Sequence, residues 1–515
     1  MRTFIRIGTA LLILIALVRP QTSSHADSAP QRADEPALLQ PGKPLERGLR
    51  GEETHTYKIH VEAGQFVHVE VLQKGIDVTV TLRDPSGKEI LKVHSLNGSF
   101  GPNPVSAIAA IAGDFRLEIA AEDVPPGRYE VQVTERATPA PSDRTRMEAE
   151  RVYREGRSLF SKGDAPSYKA AAEKYQESLT LWQTLDDKYG EAVSLDHIGR
   201  VFDALEEHDK ALNFYRQALP MWRALADRDA EAGTLNNIGV AYLAVGEEHK
   251  ALDHFTQALP AYRAAGDRPG EAIVLNDIGV VYESLGEGQK ALDYFMQGLP
   301  VFRATGDRSG EAKVLVDIGA VYDDLGEKQK ALDYYAQALT LSRITHDRDV
   351  EGITLSNMGQ VYDDLGEMQK ALDYYAQTLS LCRDLGDRDG EAATLNNIGR
   401  DYFDLGQDQK ALEYYAQALP VFRAVGNRAA EAVALSNIGK VYAALGEKQK
   451  ALDYFTQALP LHRAVGERYH EAVTLTYTGR STPLSGISRK RWRIMARPFR
   501  SFGRSEILWA RRACC

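Results

Sequence analysis

Cysteine is nearly absent. Three residues in 515 (Cys382, Cys514 and Cys515) are too few for a disulfide framework or a structural zinc site. An excess of positive charge is also lacking. Asp and Glu number 72 against 62 Lys and Arg, a formal net charge of -10, which excludes a nucleic-acid binder that relies on a basic surface. Catalytic signatures are missing: there is no GxxxxGK loop, no HExxH, no GxSxG and no GxGxxG ahead of a helix. His197, His208, His249 and His254 share no metal-ligand spacing, and Cys382 falls where other copies of a repeat carry Trp222, Tyr262 or Phe302. No catalytic group, cofactor or metal is expected, and the chain reads as non-enzymatic. One long apolar run exists, Ile7–Val18, short of the roughly 20 residues that a membrane-spanning helix needs.

That run has the form of an export signal. Arg2 and Arg6 precede it, and Ser24-His25-Ala26 ends in a small-x-small pattern. Cleavage near Ala26 is expected, leaving a periplasmic or secreted protein without a membrane span. Residues 27–44, rich in Pro, Ala and charge, read as a flexible lead-in.

Residues 45–136 have an apolar period of two. Tyr57, Ile59 and Val61 alternate with polar neighbours, as do Val67, Val69 and Val71, and Tyr129, Val131 and Val133. Turns such as Asp84-Pro85-Ser86-Gly87 separate the runs, so a β-sandwich is expected. The Ala63-Gly64-Gln65 and Leu82-x-Asp84-Pro85-x-Gly87 turns and the Gly127-x-Tyr129-x-Val131 strand resemble the bacterial pre-peptidase C-terminal domain. Asp77 and Asp84 read as turn stabilisers in preference to calcium ligands. Residues 137–143 read as a linker.

A 40-residue period then runs over 144–479, with about eight repeats and the start of another. Glu231, Glu271 and Glu311 mark it, as do Gly239, Gly279 and Gly319. Within one unit, Leu235, Ile238, Gly239 and Tyr242 share a helix face. Gly246 ends that helix, and Ala251, Leu252, Phe255, Ala258 and Leu259 form the inner face of a second. One such hairpin cannot bury its apolar face alone, so neighbours must stack. Pro220, Pro260, Pro300, Pro420 and Pro460 fall inside the second helix and should bend it.

Leu235, Ile238-Gly239, Tyr242, Ala251, Phe255 and Ala258 resemble the tetratricopeptide repeat signature, in the longer form seen in kinesin light chains and many exported bacterial proteins. The resemblance implies a mainly α fold: a right-handed α-solenoid of helix hairpins, here preceded by a small all-β sandwich. It also implies a concave wall made by the first helices. By helical phase that wall carries Asn236, Asn276, Asp277, Glu283, Asp317, Asp323, Asp324, Asn357, Asp363, Asp364, Asn396, Asn397, Arg400, Asp404, Asn437 and Lys440. Asparagine amides can clamp a ligand backbone, and the carboxylates would favour a basic protein or peptide partner. A face kept polar for solubility would look similar. Charge reversal at Asp323, Asp324, Asp363 and Asp364 is expected to weaken ligand binding and leave thermal stability nearly unchanged.

Residues 480–515 break the pattern, with ten Lys and Arg against one acid, Glu506. Read one base back, this segment can encode Leu-Gly, Ala-Leu, Tyr, Ala-Leu-Pro, Arg and Gly-Asp at the 40-residue offset from Leu445-Gly446 to Gly466. A frameshift is therefore expected there. Proteins of this resemblance often end in a caspase-like CHAT protease domain, so the alternative reading is the regulatory part of such an enzyme.

Overall fold

The computed structural model describes residues 36–51, 53–94, 100–121, 127–466 and 468–481. The expected export signal and nearly all of the basic segment lie outside them.

Nine strands come first among the described residues: β1 (Ala37–Leu38), β2 (Leu45–Leu49), β3 (Thr54–Val61), β4 (Phe66–Lys74), β5 (Val78–Arg83), β6 (Glu89–Val93), β7 (Phe100–Ile108), β8 (Gly113–Ala121) and β9 (Gly127–Arg136). They form two sheets, ordered β1-β3-β8-β5-β6 and β2-β9-β4-β7. The alternating residues do what their period predicts: Ile59, Val69, Val80, Leu117 and Val131 meet in one core between the sheets. Asp84 stabilises its turn, accepting hydrogen bonds from the backbone N–H of Ser86 (2.9 Å) and Lys88 (3.0 Å). Two boundaries differ from expectation. The lead-in is partly ordered, because Ala37–Leu38 pairs in parallel with Tyr57–Lys58 and Leu39 joins the core. The linker is shorter, because a helix already starts at Pro141. Proline suits a first helical position, and Asp143 both accepts from the Ala140 N–H (2.8 Å) and pairs with Arg136.

The rest is helical hairpins. The first is α1 (Pro141–Phe160) with α2 (Ala165–Leu185). Six more follow in register: α3 (Lys188–Ala204) with α4 (His208–Leu225), α5 (Arg228–Ala244) with α6 (Glu248–Ala265), α7 (Arg268–Ser284) with α8 (Gly288–Thr305), α9 (Arg308–Asp324) with α10 (Lys328–Thr345), α11 (Arg348–Asp364) with α12 (Met368–Leu385), and α13 (Arg388–Asp404) with α14 (Asp408–Val425). Then come α15 (Arg428–Ala444) with α16 (Lys448–Ala464), and a last helix, α17 (Arg468–Ser481).

The repeated residues explain the repeated geometry. Gly266 ends α6 at a φ of 78°, and Asp267 caps α7, accepting from the Gly270 N–H (3.0 Å). Gly359 has no room for a side chain: a Cβ there would lie 2.6 Å from Cε1 of Tyr375. Ala251, Phe255 and Ala258 are wholly buried and Leu252 partly so. Tyr282 stacks on Tyr294 (centroids 5.5 Å apart) with Lys290 over its ring, and the same trio recurs in the next four units. The inner prolines do not stop their helices. Each stands on the exposed flank, and so do the residues four back whose carbonyls lose a partner, where water can replace it.

Candidate functional site

Successive first helices approach one another more closely than successive second helices do. That difference puts α3, α5, α7, α9, α11, α13 and α15 on the inner wall of the curve. The residues expected to face the groove stand at two depths on these helices. Asp324, Asp364 and Asp404 are exposed at its surface. Asn276, Asp277, Glu283, Asp317, Asp323, Asn357, Asp363, Asn396, Asn397, Arg400 and Lys440 are half-buried. Asn236 and Asn437 are each only 8% exposed.

The asparagines do not stand as free clamps. The amide of Asn236 faces the Asp277 carboxylate on the next first helix, and Asn276 faces Asp317 in the same way. Asn357 reaches the Tyr335 hydroxyl. Asn437 donates to Asn396 Oδ1 (3.3 Å) and accepts from Lys440 Nζ (3.1 Å). These bonds are rungs between units. What the rungs leave over is acceptor capacity: Oδ1 of both Asn236 and Asn276 is buried without a hydrogen bond.

Charge divides the groove. From α5 to α9 the charged side chains named are carboxylates. Burial pushes the carboxyl of Asp277 up to about 6, with the charge of Asp317 adding to the effect. Asp317 is likewise raised by burial to about 6. Glu283 rises to about 7, through burial and then the charges of Asp317 and Asp324. Further along, the acids have partners. Lys328 bridges Asp323 and Asp364 at 2.6 Å each, and Arg400 pairs with Asp363 (2.7 Å) and Gln360 (3.0 Å). Burial lowers the Lys440 ammonium, against the pull of Asp404.

This pairing corrects the charge-reversal expectation. Asp363 is a buried ion-pair partner, its side chain 11% exposed, so reversing it must cost stability.

One residue escaped the sequence reading. Asp401, on α13, is 0% exposed, and neither carboxylate oxygen has a hydrogen bond. Burial, then the charge of Asp363, pushes it up to about 7, opposed by Arg400. The signal was in the repeat itself, since Val201, Ala241, Val281, Val321, Val361 and Val441 occupy the same column.

A second cluster joins the two modules. His68 and Ser106 are cross-strand partners on β4 and β7, and β7 lies against α1. Ser106 Oγ donates to Glu150 Oε1 (2.8 Å) and so accepts from His68 Nδ1 (2.8 Å). The serine proton goes to the acid, the reverse of a nucleophile activated by an imidazole base. Burial lowers the His68 imidazole to about 4 and raises the Glu150 carboxyl. A cavity of about 200 Å³ beside them is walled by Tyr153, Trp182 and Tyr189. The cluster fixes the sandwich to the first hairpin.

Comparison with known proteins agrees with this architecture. The tetratricopeptide repeat profile matches residues 156–224, 230–304, 271–344, 350–424 and 391–464, together more than half of the chain. None of the curated proteins compared with the chain matches it. Among solved structures, the apo quorum sensor NprR from B. thuringiensis is 16% identical, with 63% of this chain and 89% of that one covered and a TM-score of 0.49. A Rap protein complexed with Competence and Sporulation Factor is 14% identical, covering 69% of this chain and 100% of its own, with a TM-score of 0.42. BtubC from P. vanneervenii is 19% identical, covering 43% and 91% respectively, with a TM-score of 0.38. Among the described residues no helix is long and apolar enough to cross a membrane.

Proposed function

We propose that this chain, which belongs to the tetratricopeptide repeat family, is an exported, non-enzymatic scaffold that holds a protein or peptide segment in the groove of its first helices. The groove's acids favour a ligand with basic side chains. The observation that carries this reading is which columns of the repeat vary. Two exposed columns of the second helices hardly differ: Lys250, Lys290, Lys330, Lys370, Lys410 and Lys450, and Gln257, Gln297, Gln337, Gln377, Gln417 and Gln457. One groove column differs at almost every step: Arg200, Val240, Val280, Ala320, Gln360, Arg400, Lys440. Copying alone would have left both faces alike. A groove column that changes beside second-helix columns that stay constant supports a surface that reads a sequence.

The test is selection of peptides from an unbiased display library on the purified chain. Selected peptides should lose binding when Asn276→Arg or Asp324→Lys is introduced, and keep it with Gln337→Arg on the outer face. Peptides indifferent to both groove changes would end the reading. Export is checked separately by N-terminal sequencing of the mature protein, with a start near Asp27 expected. The codon register of residues 480–515 favours a second reading, in which the array regulates a CHAT-type protease encoded further on. Resequencing the gene through that segment decides it.

A further inference from the structure

We propose that the stretch of groove formed by α5, α7 and α9 seats two guanidinium or ammonium groups borne three residues apart on one ligand segment in the polyproline-II conformation. This rests on the groove reading above and gives it a chemistry and a place.

Three observations converge there. First, every charged group identified on that stretch is a carboxylate. Asp277, Glu283 and Asp317 are carboxylates half-buried on neighbouring helices, and Asp324 stands exposed beside them. Second, these acids have no cation among the charges acting on them. What acts on Asp277 is the Asn236 amide and Asp317; on Glu283 it is Asp317 and Asp324; on Asp317 it is the Asn276 amide. Lys328, the nearby cation, is held between Asp323 and Asp364. Third, Oδ1 of Asn236, on a side chain 8% exposed, and Oδ1 of Asn276 are buried acceptors without donors. An occupant that brings positive charge and N–H groups complements these acids. A guanidinium, with five donors and a delocalised charge, meets both demands. A metal ion does not fit, because among the described residues no three ligating side chains come close enough to share one.

The spacing follows from helix packing. Neighbouring packed helices lie about 8–10 Å apart. A polyproline-II segment advances about 3.1 Å per residue with three residues per turn, so side chains three residues apart lie on one face about 9 Å apart. Cations at that interval meet acids on successive first helices, Asp277 on α7 and Asp317 on α9. Loading also displaces protons. Asp277 and Asp317 titrate at about 6 and Glu283 at about 7, facing Asn236 on α5, Tyr262 on α6 and Asp324 on α9. An arriving cation lowers these values, so it binds more tightly as pH rises from 5.5 to 7.5 and releases protons near pH 6.5.

The experiment uses the full chain and fluorescent decapeptides of Gly and Ser. One carries two arginines three residues apart, the second carries citrulline at both places, and the third carries adjacent arginines. The first should bind at least tenfold tighter than the second and measurably tighter than the third. The double variant Asp277→Asn with Asp317→Asn should lose that tenfold preference while its melting temperature does not fall. Calorimetry in two buffers of different ionisation enthalpy should show proton release at pH 6.5. Equal binding of the arginine and citrulline peptides overturns the proposal. So does no binding of either, or unchanged preference in the double variant. If library-selected peptides still depend on the groove, only this inference fails. If they do not, the groove reading fails with it.

Discussion

Replacing Asp401 by valine, the residue most other copies carry at that place, should stabilise the middle of the array, and more so at alkaline pH. The carboxyl has an ordinary value of 3.8 and is raised to about 7 in the fold. A rise of about three units, at about 1.4 kcal/mol each, is a penalty of about 4 kcal/mol once the group is fully ionised. An acid raised by folding contributes no penalty below its unfolded value of 3.8. The penalty grows as pH climbs through the interval and is complete above about 7. At pH 5 it is about 2 kcal/mol, and at pH 8 about 4 kcal/mol. Valine removes this and adds apolar burial worth about 1–2 kcal/mol at any pH. Asp401→Asn removes the charge and leaves the polarity, so it isolates the pH-dependent part.

A solenoid opens locally, so the assay must be local too. Native-state hydrogen exchange of the α12 to α14 amides, corrected for intrinsic rates, should show the gap between wild type and either variant widening by about 2 kcal/mol from pH 5 to pH 8. If the gap is the same at both pH values, Asp401 is not an unpaired buried carboxylate, and the reasoning is wrong.

Two further outcomes follow from contacts already described. Gly359→Ala would force a Cβ against Tyr375, 2.6 Å from Cε1, and should lower stability by about 1–3 kcal/mol despite better helix propensity. Gly233→Ala, inside α5 with its nearest neighbour 3.7 Å away, should instead raise stability by up to about 1 kcal/mol, and thermal melts of the pair separate the two cases. Asp363→Lys sets a second cation beside Arg400 and should cost about 2–4 kcal/mol, whereas Asp324→Lys, on an exposed side chain, should stay within about 0.5 kcal/mol by urea unfolding.

These cases mark what was legible in the sequence. Periodicity of two placed the sandwich strands, and the recurrence of Gly239, Tyr242, Ala251 and Phe255 at 40 residues placed the hairpins and their cores. Both signals come from burial, which repeats when the structure repeats. Partnership was not legible. Whether Asp323 faces solvent or Lys328 depends on a neighbouring helix, and the sequence period is silent on that. The same holds for Asn236, whose amide looked free for a ligand until its neighbour Asp277 was seen to occupy it. The module junction was hidden for a similar reason. His68, Ser106 and Glu150 meet across 82 positions of chain, joined only by strand register and the docking of α1. Asp401 differs from these, since its column was visible and its departure from valine could have been read directly.

A polar inner wall is also what solubility alone would maintain, and exposed Asp324, Asp364 and Asp404 fit that account. The deeper residues do not. A side chain improves solubility only where water reaches it, yet Asn236 and Asn437 are 8% exposed and Asp401 is 0% exposed. Leaving a buried polar atom unpaired costs about 1–3 kcal/mol with no gain in hydration. The chain carries such atoms at Asn236 and Asn276 on the first helices, and at Asp401 in the core beneath them. Some lie elsewhere as well, at Trp222 and Ser194, so orphaned atoms alone do not define a site. The conjunction does: unpaired acceptors, acids without cations, and a divergent column, Arg200 to Lys440, on the same first helices. Each has a separate ordinary cause. A ligand that supplies donors and positive charge accounts for all three at once, and a nearest-neighbour solenoid can hold the resulting local strain without unfolding elsewhere.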